Sequence, residues 1–350
     1  MENKFKITFG LPCYNVSRYV EKTLESIYAQ NIAVDFEVVF VDDCSTDNTY
    51  EILKSLEKKY KEVSVYKNEK NQGVSQTRNR IIELAKGEYI WFVDPDDLLF
   101  FNVSNHLINL CDKYDADYIC GNYVEFPCED IPSKQELLSK YDSIDKVQEE
   151  FGINMIPKSQ NQYGAVAASV LMGLWKRSFL QKNGIVFNSK VSMMEDMLFK
   201  LSIEPFERRI VYVNYPVYIY LIRGNSATTS KSIEKRVSTF RSMCFIIQDM
   251  LKIKEKGDCA FAKKVDRLIL QTKEQMAMAL IVIDDLRYFK SCLKEAKSMN
   301  IYPYEFRKTI LTDKNNMSFI RKINLYLLPF EPVLWLNFII RKVYGIIFKK

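Results

Sequence analysis

The chain has a single histidine in 350 residues, with only 11 glycines and 10 prolines. A Ser-His-Asp hydrolase, a HExxH protease or a histidine phosphotransferase would have to be built on His106, and Asn105-His106-Leu107 supplies none of the neighbours those mechanisms need. His106 reads as structural. The eight cysteines (Cys13, Cys44, Cys111, Cys120, Cys128, Cys244, Cys259 and Cys292) form no C-x-x-C pair, and with one imidazole available they argue against a zinc site. The opening Met-Glu-Asn-Lys-Phe-Lys-Ile-Thr-Phe has no signal-peptide apolar region or cleavage site, so the expectation is a cytoplasmic chain with free thiols. No G-x-G-x-x-G follows the first strand-like run and no G-x-x-x-x-G-K-[ST] occurs, which leaves dinucleotide dehydrogenases and P-loop NTPases unsupported. The net charge of +6 comes from 50 basic residues nearly matched by 44 acidic ones, whereas a dedicated nucleic-acid binder more often shows a concentrated basic face, so no nucleic-acid partner is expected.

What is present is a globular composition, 47% hydrophobic and 27% charged, long enough for two or three units or for one large α/β domain with a helical appendage. Apolar strand-like runs at 6–11, 36–41, 63–66 and 89–93 alternate with amphipathic helical patterns at 16–30, 48–60 and 75–85. That alternation predicts a mostly parallel sheet covered on both faces, with ligands at the carboxyl ends of the strands. Residues 97–112 read as a helix, 118–126 as a strand, and 131–150 as a polar insertion over the acceptor side. The mixed pattern continues through 164–180, 194–205 and 209–220, and from 233 to about 299 the periodicity is helical. The expected division is a domain at 1–230, with halves at about 1–100 and 101–230, then a helical region at 231–323 and an amphipathic segment at 324–350.

That last segment is aromatic and aliphatic, yet Pro329, Glu331, Pro332, Arg341 and Lys342 interrupt it, so no run of about 18 apolar residues remains to span a bilayer. With Arg341, Lys342, Lys349 and Lys350 it fits either an in-plane helix at a membrane surface or a helix packed on the core or on a second subunit.

Three acidic groups follow apolar strands or open loops: Asp42-Asp43, Asp94-Pro95-Asp96-Asp97 and Glu195-Asp196. Each alone could be a helix cap. Together at one sheet edge they would concentrate like charge that a cation or a cationic ligand must offset. Asp94-x-Asp96 offers two hard oxygen ligands on a turn, a pattern suited to Mg²⁺ or Mn²⁺ holding a diphosphate.

Leu11-Pro12-Cys13-Tyr14-Asn15, Val39-Phe40-Val41-Asp42-Asp43-Cys44-Ser45-Thr46-Asp47, Asn71-Gln72-Gly73-Val74-Ser75-Gln76-Thr77-Arg78-Asn79 and Phe92-Val93-Asp94-Pro95-Asp96-Asp97 occur in an order and spacing that resembles the family 2 inverting glycosyltransferases of the GT-A fold, of the bacterial surface-polysaccharide type. Glu195-Asp196-Met197-Leu198-Phe199 resembles that family's downstream E-D motif, and Tyr218-Ile219-Tyr220-Leu221-Ile222-Arg223 the segment after it. The resemblance implies a Rossmann-like GT-A α/β fold with a C-terminal helical region. It implies Pro12, Tyr14 and Asp43 around the nucleoside, Arg78 near the base or diphosphate, and Asp94 and Asp96 at ribose and metal. Asp196 would be the general base and Glu195 would orient the acceptor. Donor and acceptor would be a nucleotide-diphosphate sugar, UDP-linked by expectation, and a hydroxyl of a polysaccharide or lipid-linked oligosaccharide at the inner membrane face. Cys44, Pro95 and Gln76-Thr77 depart from the commonest pattern without removing a functional group. Trp175 could stack on a sugar or anchor the core. The competing readings are a nucleotidyltransferase, which would want a Gly-rich basic loop that 11–17 lacks, and a catalytically silent carbohydrate-binding subunit, which has no need of Asp94, Asp96 and Asp196 together.

Overall fold

The computed structural model describes residues 5–127, 153–156, 169–222, 232–281, 283 and 285–301. The expected insertion at 131–150 and the amphipathic segment at 324–350 lie outside them.

Strands β1 (Phe5–Cys13) and β2 (Phe36–Asp42) are buried continuously from Ile7 and from Glu37 onward. A strand reads this way when helices cover both faces of its sheet. With β3 (Val63–Lys67) and β4 (Gly87–Phe92) they form the parallel block β3-β2-β1-β4. The helices between them are α1 (Val20–Tyr28), α2 (Thr49–Lys59) and α3 (Val74–Leu84). Helix α1 buries Val20, Thr23, Leu24 and Ile27 along one face, and each of its aliphatic side chains contributes about 1.5–3 kcal/mol by leaving water. Gly10 lies under α3 so closely that a Cβ there would be 2.3 Å from the Ile81 side chain. Pro12 sits in a central strand without a lost ladder bond, because β4 pairs with β1 only as far as Gly10.

Beyond β4 the sheet continues as β8-β6-β9-β5, with β7 pairing β9. These are β5 (Leu98–Leu99), β6 (Tyr118–Pro127), β7 (Ile153–Ile156), β8 (Gly173–Lys176) and β9 (Ile210–Ile222). Strands β6 and β9 run with the first four, whereas β5, β7 and β8 run against them. Helices α4 (Ser104–Tyr114) and α5 (Arg177–Lys182) belong to this half. The helix expected at 97–112 begins only at Ser104. Leu98 and Leu99 pair instead with Ile219 and Tyr218 of β9, and Phe100 N–H donates to Val217 O. Likewise α1 starts at Val20, after a turn in which the Tyr19 and Val20 amides donate to Val16 O.

The chain divides into two compact units, Met1–Ser189 with Phe206–Thr229, and Lys190–Pro205 with Ser230–Lys350. The described part of the second contains α6 (Glu195–Ile203), α7 (Ile233–Lys254), α8 (Cys259–Ile281) and α9 (Leu286–Ser298). Its core joins Leu198 and Leu201 of α6 to Phe240, Ile247 and Met250 of α7, with Val265 and Phe289 from the later helices. Ser232 caps α7 by accepting the Lys235 amide, and Asp285 caps α9 by accepting those of Arg287 and Tyr288. Among the described residues no helix is long and apolar enough to cross a membrane.

Candidate active site

Strands β1 to β4 are parallel, so the turns that leave their carboxyl ends gather at one edge of the sheet. The turn after β1 exposes Tyr14 (45%) and places Asn15 in the left-handed region, with φ 54°. From there the Asn15 Oδ1 accepts the amides of Thr46 (2.8 Å) and Asp47 (3.3 Å), and the Asn15 amide donates to Ser45 Oγ at 3.0 Å. The turns after β1 and β2 are therefore one hydrogen-bonded surface, which carries Pro12 at its buried base and Tyr14 at its rim.

Asp43 lies inside this surface, only 3% exposed. Its Oδ1 accepts Asn68 Nδ2 (2.7 Å) and the Gln72 amide (2.9 Å), and its Oδ2 accepts the Gly73 amide (2.8 Å). Asn68 in turn takes a hydrogen bond from Arg80 on its amide oxygen. Gly73, the residue before α3, has φ 83°, a backbone that a side chain would strain. Asp43 thus shapes the 68–73 loop, a role that the sequence pattern did not reveal. Its neighbour Asp42 is fully buried: its Oδ2 accepts the Ser45 amide at 3.3 Å and forms an ion pair with Lys67 Nζ at 3.9 Å, and its Oδ1 has no partner.

The turn after β4 is arranged differently. Asp94 and Asp96 are half-buried, whereas Asp97 is 1% exposed, and the three carboxylates offer oxygens all within 4.8 Å of one another. Arg78 of α3, 3% exposed, reaches Asp94 Oδ1 at 3.1 Å while its guanidinium lies 5.5 Å over the Phe187 ring. Asn79 fixes that ring's backbone twice, donating to Phe187 O and accepting the Phe187 amide, each at 2.8 Å. Asp97 turns inward: its Oδ1 accepts the Leu221 amide (2.9 Å) and its Oδ2 the Tyr218 hydroxyl (3.1 Å). Burial, and then the charges of Asp96 and Asp94, push the Asp97 carboxyl up to about 8 despite those two donors. Burial together with Asp42, Asp96 and Asp94 also holds the Cys13 thiol well above its ordinary value, so this cysteine stays protonated and inert. A tight set of carboxylate oxygens without nitrogen or sulfur donors suits a hard divalent cation.

Of the residues singled out from sequence, Asp94, Asp96 and Arg78 meet directly, and Pro12, Tyr14 and Asp43 lie on the adjoining turns. Glu195 and Asp196 form the first turn of α6 in the second unit, half-buried, after Met194 in the left-handed region with φ 63°. Asp97, Tyr218, Asn68 and Phe187 were not foreseen as part of the site. Of these Asp97 left a signal as the third carboxylate of the Asp94–Asp97 run, and Tyr218 only as part of the segment after the E-D motif. Trp175 takes the anchoring role: it is fully buried, stacked on Tyr118 at 3.6 Å between ring centres, with Nε1 donating to Val170 O at 2.9 Å. His106 is half-buried beside the Tyr215 ring, and burial lowers its pKa. A cavity of about 530 Å³, lined by Asp117, Lys176 and Arg209 among others, lies at the opposite edge of the sheet, where β6 and β9 begin.

Residues 8–163 match the profile of the family described as Glycosyl transferase family 2. The poly(ribitol-phosphate) beta-glucosyltransferase of Bacillus spizizenii is 26% identical over 263 residues, which are 74% of this chain and 38% of that protein. The chain thus spans well under half the length of that relative. The poly(ribitol-phosphate) beta-N-acetylglucosaminyltransferase TarP of Staphylococcus aureus is 29% identical over 259 residues, 71% of each chain. Among solved structures, TarS of S. aureus superimposes with a TM-score of 0.64 over 92% of this chain and 52% of that one, at 20% identity. Its residues 1–349 in complex with UDP-GlcNAc give 0.57 over 86% and 93%, at 19% identity. The strand order and the superposition give the chain the GT-A fold, and its residues 8–163 are similar to glycosyl transferase family 2.

Proposed function

We propose that the protein transfers a sugar, with inversion, from a nucleotide-diphosphate sugar to a hydroxyl of a cell-surface polysaccharide. The observation that carries this reading is the turn after β4, where Asp94 and Asp96 stand half-buried beside Asp97 and the guanidinium of Arg78. Pro12 and Tyr14 would line the nucleoside, and the Asp43 carboxylate, already shaping the 68–73 loop, would accept a hydrogen bond from the base or ribose. Arg78 supplies fixed positive charge for the diphosphate, since its partner and the Phe187 ring hold it in place. Asp94 and Asp96 would hold Mg²⁺ or Mn²⁺, which when bound stabilises the negative charge of the departing nucleoside diphosphate. Asp196 would take the proton of the attacking hydroxyl, and Glu195 would orient the acceptor.

The relatives suggest a UDP-sugar as donor and a polyol-phosphate or related wall polymer as acceptor, because TarS is crystallised with UDP-GlcNAc and two relatives are named for poly(ribitol-phosphate). The basic and aromatic segment at 324–350 would hold the enzyme at an anionic membrane surface, each cation adding about 1 kcal/mol. Co-sedimentation with anionic vesicles at low salt checks that point; failure to sediment contradicts it. The test of the function is nucleoside-diphosphate release and thermal shift across a panel of nucleotide sugars with Mn²⁺ or Mg²⁺. One donor that both stabilises the protein and yields its diphosphate is expected. Pyrophosphate formation from a sugar phosphate and a nucleoside triphosphate would reassign it as a nucleotidyltransferase, and binding without turnover as a silent subunit.

A further inference from the structure

The Tyr218 side chain is fully buried in β9, in the sequence segment after the E-D motif to which no role has been given. Its hydroxyl makes two hydrogen bonds of opposite sense. It accepts the Asp94 amide at 3.0 Å and donates to Asp97 Oδ2 at 3.1 Å. Asp97 is joined to the same strand again through the Leu221 amide at 2.9 Å, and its own amide closes the turn on Asp94 O at 3.1 Å. From the other side, Thr23 of α1 donates to the Asp97 carbonyl at 2.8 Å. Strand pairing of Leu99 with Tyr218 brings β9 alongside the end of the turn. The segment that carries Asp94 and Asp96 is thus tied at its first residue and its last by one phenol oxygen.

The consequence follows from electrostatics. Asp94 and Asp96 are crowded with Asp97, with oxygens of all three inside 4.8 Å, and like charge placed so closely is unfavourable, so a turn free to relax would separate them. Asp97 is less available to an ion than the other two, because it is buried and each of its oxygens already accepts a protein donor. Its place is behind them. We propose that Tyr218 is a positioning residue for divalent-cation binding: through Asp97 and the Asp94 amide it holds the Asp94–Asp97 turn in the shape that keeps the Asp94 and Asp96 carboxylates together before any ion arrives. This rests on the proposed metal role of Asp94 and Asp96 and deepens it, by giving β9 control over the affinity of that site.

The measurement is direct Mn²⁺ binding to the full chain, by calorimetry or by the electron-spin signal of free Mn²⁺, on wild type and Tyr218→Phe. Phenylalanine removes the hydroxyl alone and alters no charge. Loss of an outer partner that orients metal ligands weakens affinity by about 10-fold or more, and that loss is the expected result, with uridine affinity measured without metal unchanged. Thr23→Val, which frees the other side of the turn and is also charge-neutral, should show a smaller loss of Mn²⁺ affinity and decides the matter if Tyr218→Phe does not fold. Wild-type Mn²⁺ affinity in the folded variant overturns the role of Tyr218 while leaving the metal site standing. An equal loss of Mn²⁺ and uridine affinity overturns it too, since that marks general damage to the sheet edge. If wild type itself binds no Mn²⁺, the metal reading of Asp94 and Asp96 falls and this inference with it.

Discussion

Two acidic pairs stand at the carboxyl ends of the two parallel strands that flank β1, Asp42-Asp43 at the end of β2 and Asp94-x-Asp96 after β4, and the fold uses them in different ways. The first pair is buried, and Asp43 accepts the Asn68 side chain and the amides of Gln72 and Gly73, so its charge builds the 68–73 loop. The second pair is half-buried and crowded against a third carboxylate, with Arg78 as a cationic neighbour. A carboxylate that organises backbone amides gains stability from them, whereas crowded like charges give stability away in exchange for a place to hold a cation. The same residue type at corresponding strand ends therefore builds a loop in one turn and leaves carboxylates crowded in the other, where the proposed cation would offset them.

That contrast can be broken by substitution. Asp96→Ala should lower turnover by at least about 10³-fold, on the scale set for loss of a group that stabilises transition-state charge, while leaving the melting temperature near wild type. A variant that melts early would place Asp96 with Asp43, as architecture. Asp196→Asn keeps the shape but cannot take a proton, so transfer should fall by about 10²-fold or more with nucleotide affinity unchanged; lost nucleotide affinity would move Asp196 to the donor side. Asp43→Ala, unlike Asp96→Ala, should cost about 3 kcal/mol of stability by stranding buried donors, as read by denaturant unfolding. An unchanged midpoint would show that water serves those amides as well. The smallest effect is chemical. Because burial and three nearby carboxylates keep the Cys13 thiol protonated, iodoacetamide at pH 8.5 should label exposed Cys259 and spare Cys13, which peptide mass mapping resolves. Labelling of Cys13 in the folded protein would mean that the strand end is open.

The half of the fold built on local periodicity was legible. Strands β1 to β4 and helices α2 and α3 fall within a few residues of where apolar spacing put them, since each is encoded in a short window. What escaped was non-local. The run from Asp97 to Asn102 leads directly into a helical pattern, yet Leu98 and Leu99 pair with β9, and Asp97 finds Tyr218 at a separation of 121 residues. Asp94 and Asp96 could be named because their position after a strand carries information by itself. Tyr218 could not, since an aromatic in an apolar strand looks like core until its hydroxyl is seen between two elements. The loop-holding role of Asp43 escaped for a related reason: its acceptor oxygens serve backbone amides, which have no letter in a sequence. Trp175 was ambiguous between sugar platform and anchor until the stacked ring of Tyr118 decided it.

In the proposed reaction, departure of the nucleoside diphosphate depends on a divalent cation held by the turn after β4. The most direct test is to follow nucleoside-diphosphate release from the donor identified in the panel, with Mn²⁺ present, after excess EDTA, and after Mn²⁺ is restored. Release should stop with EDTA and return with Mn²⁺ in wild type, and Asp96→Ala should stay silent throughout. Undiminished release in excess EDTA would contradict that dependence.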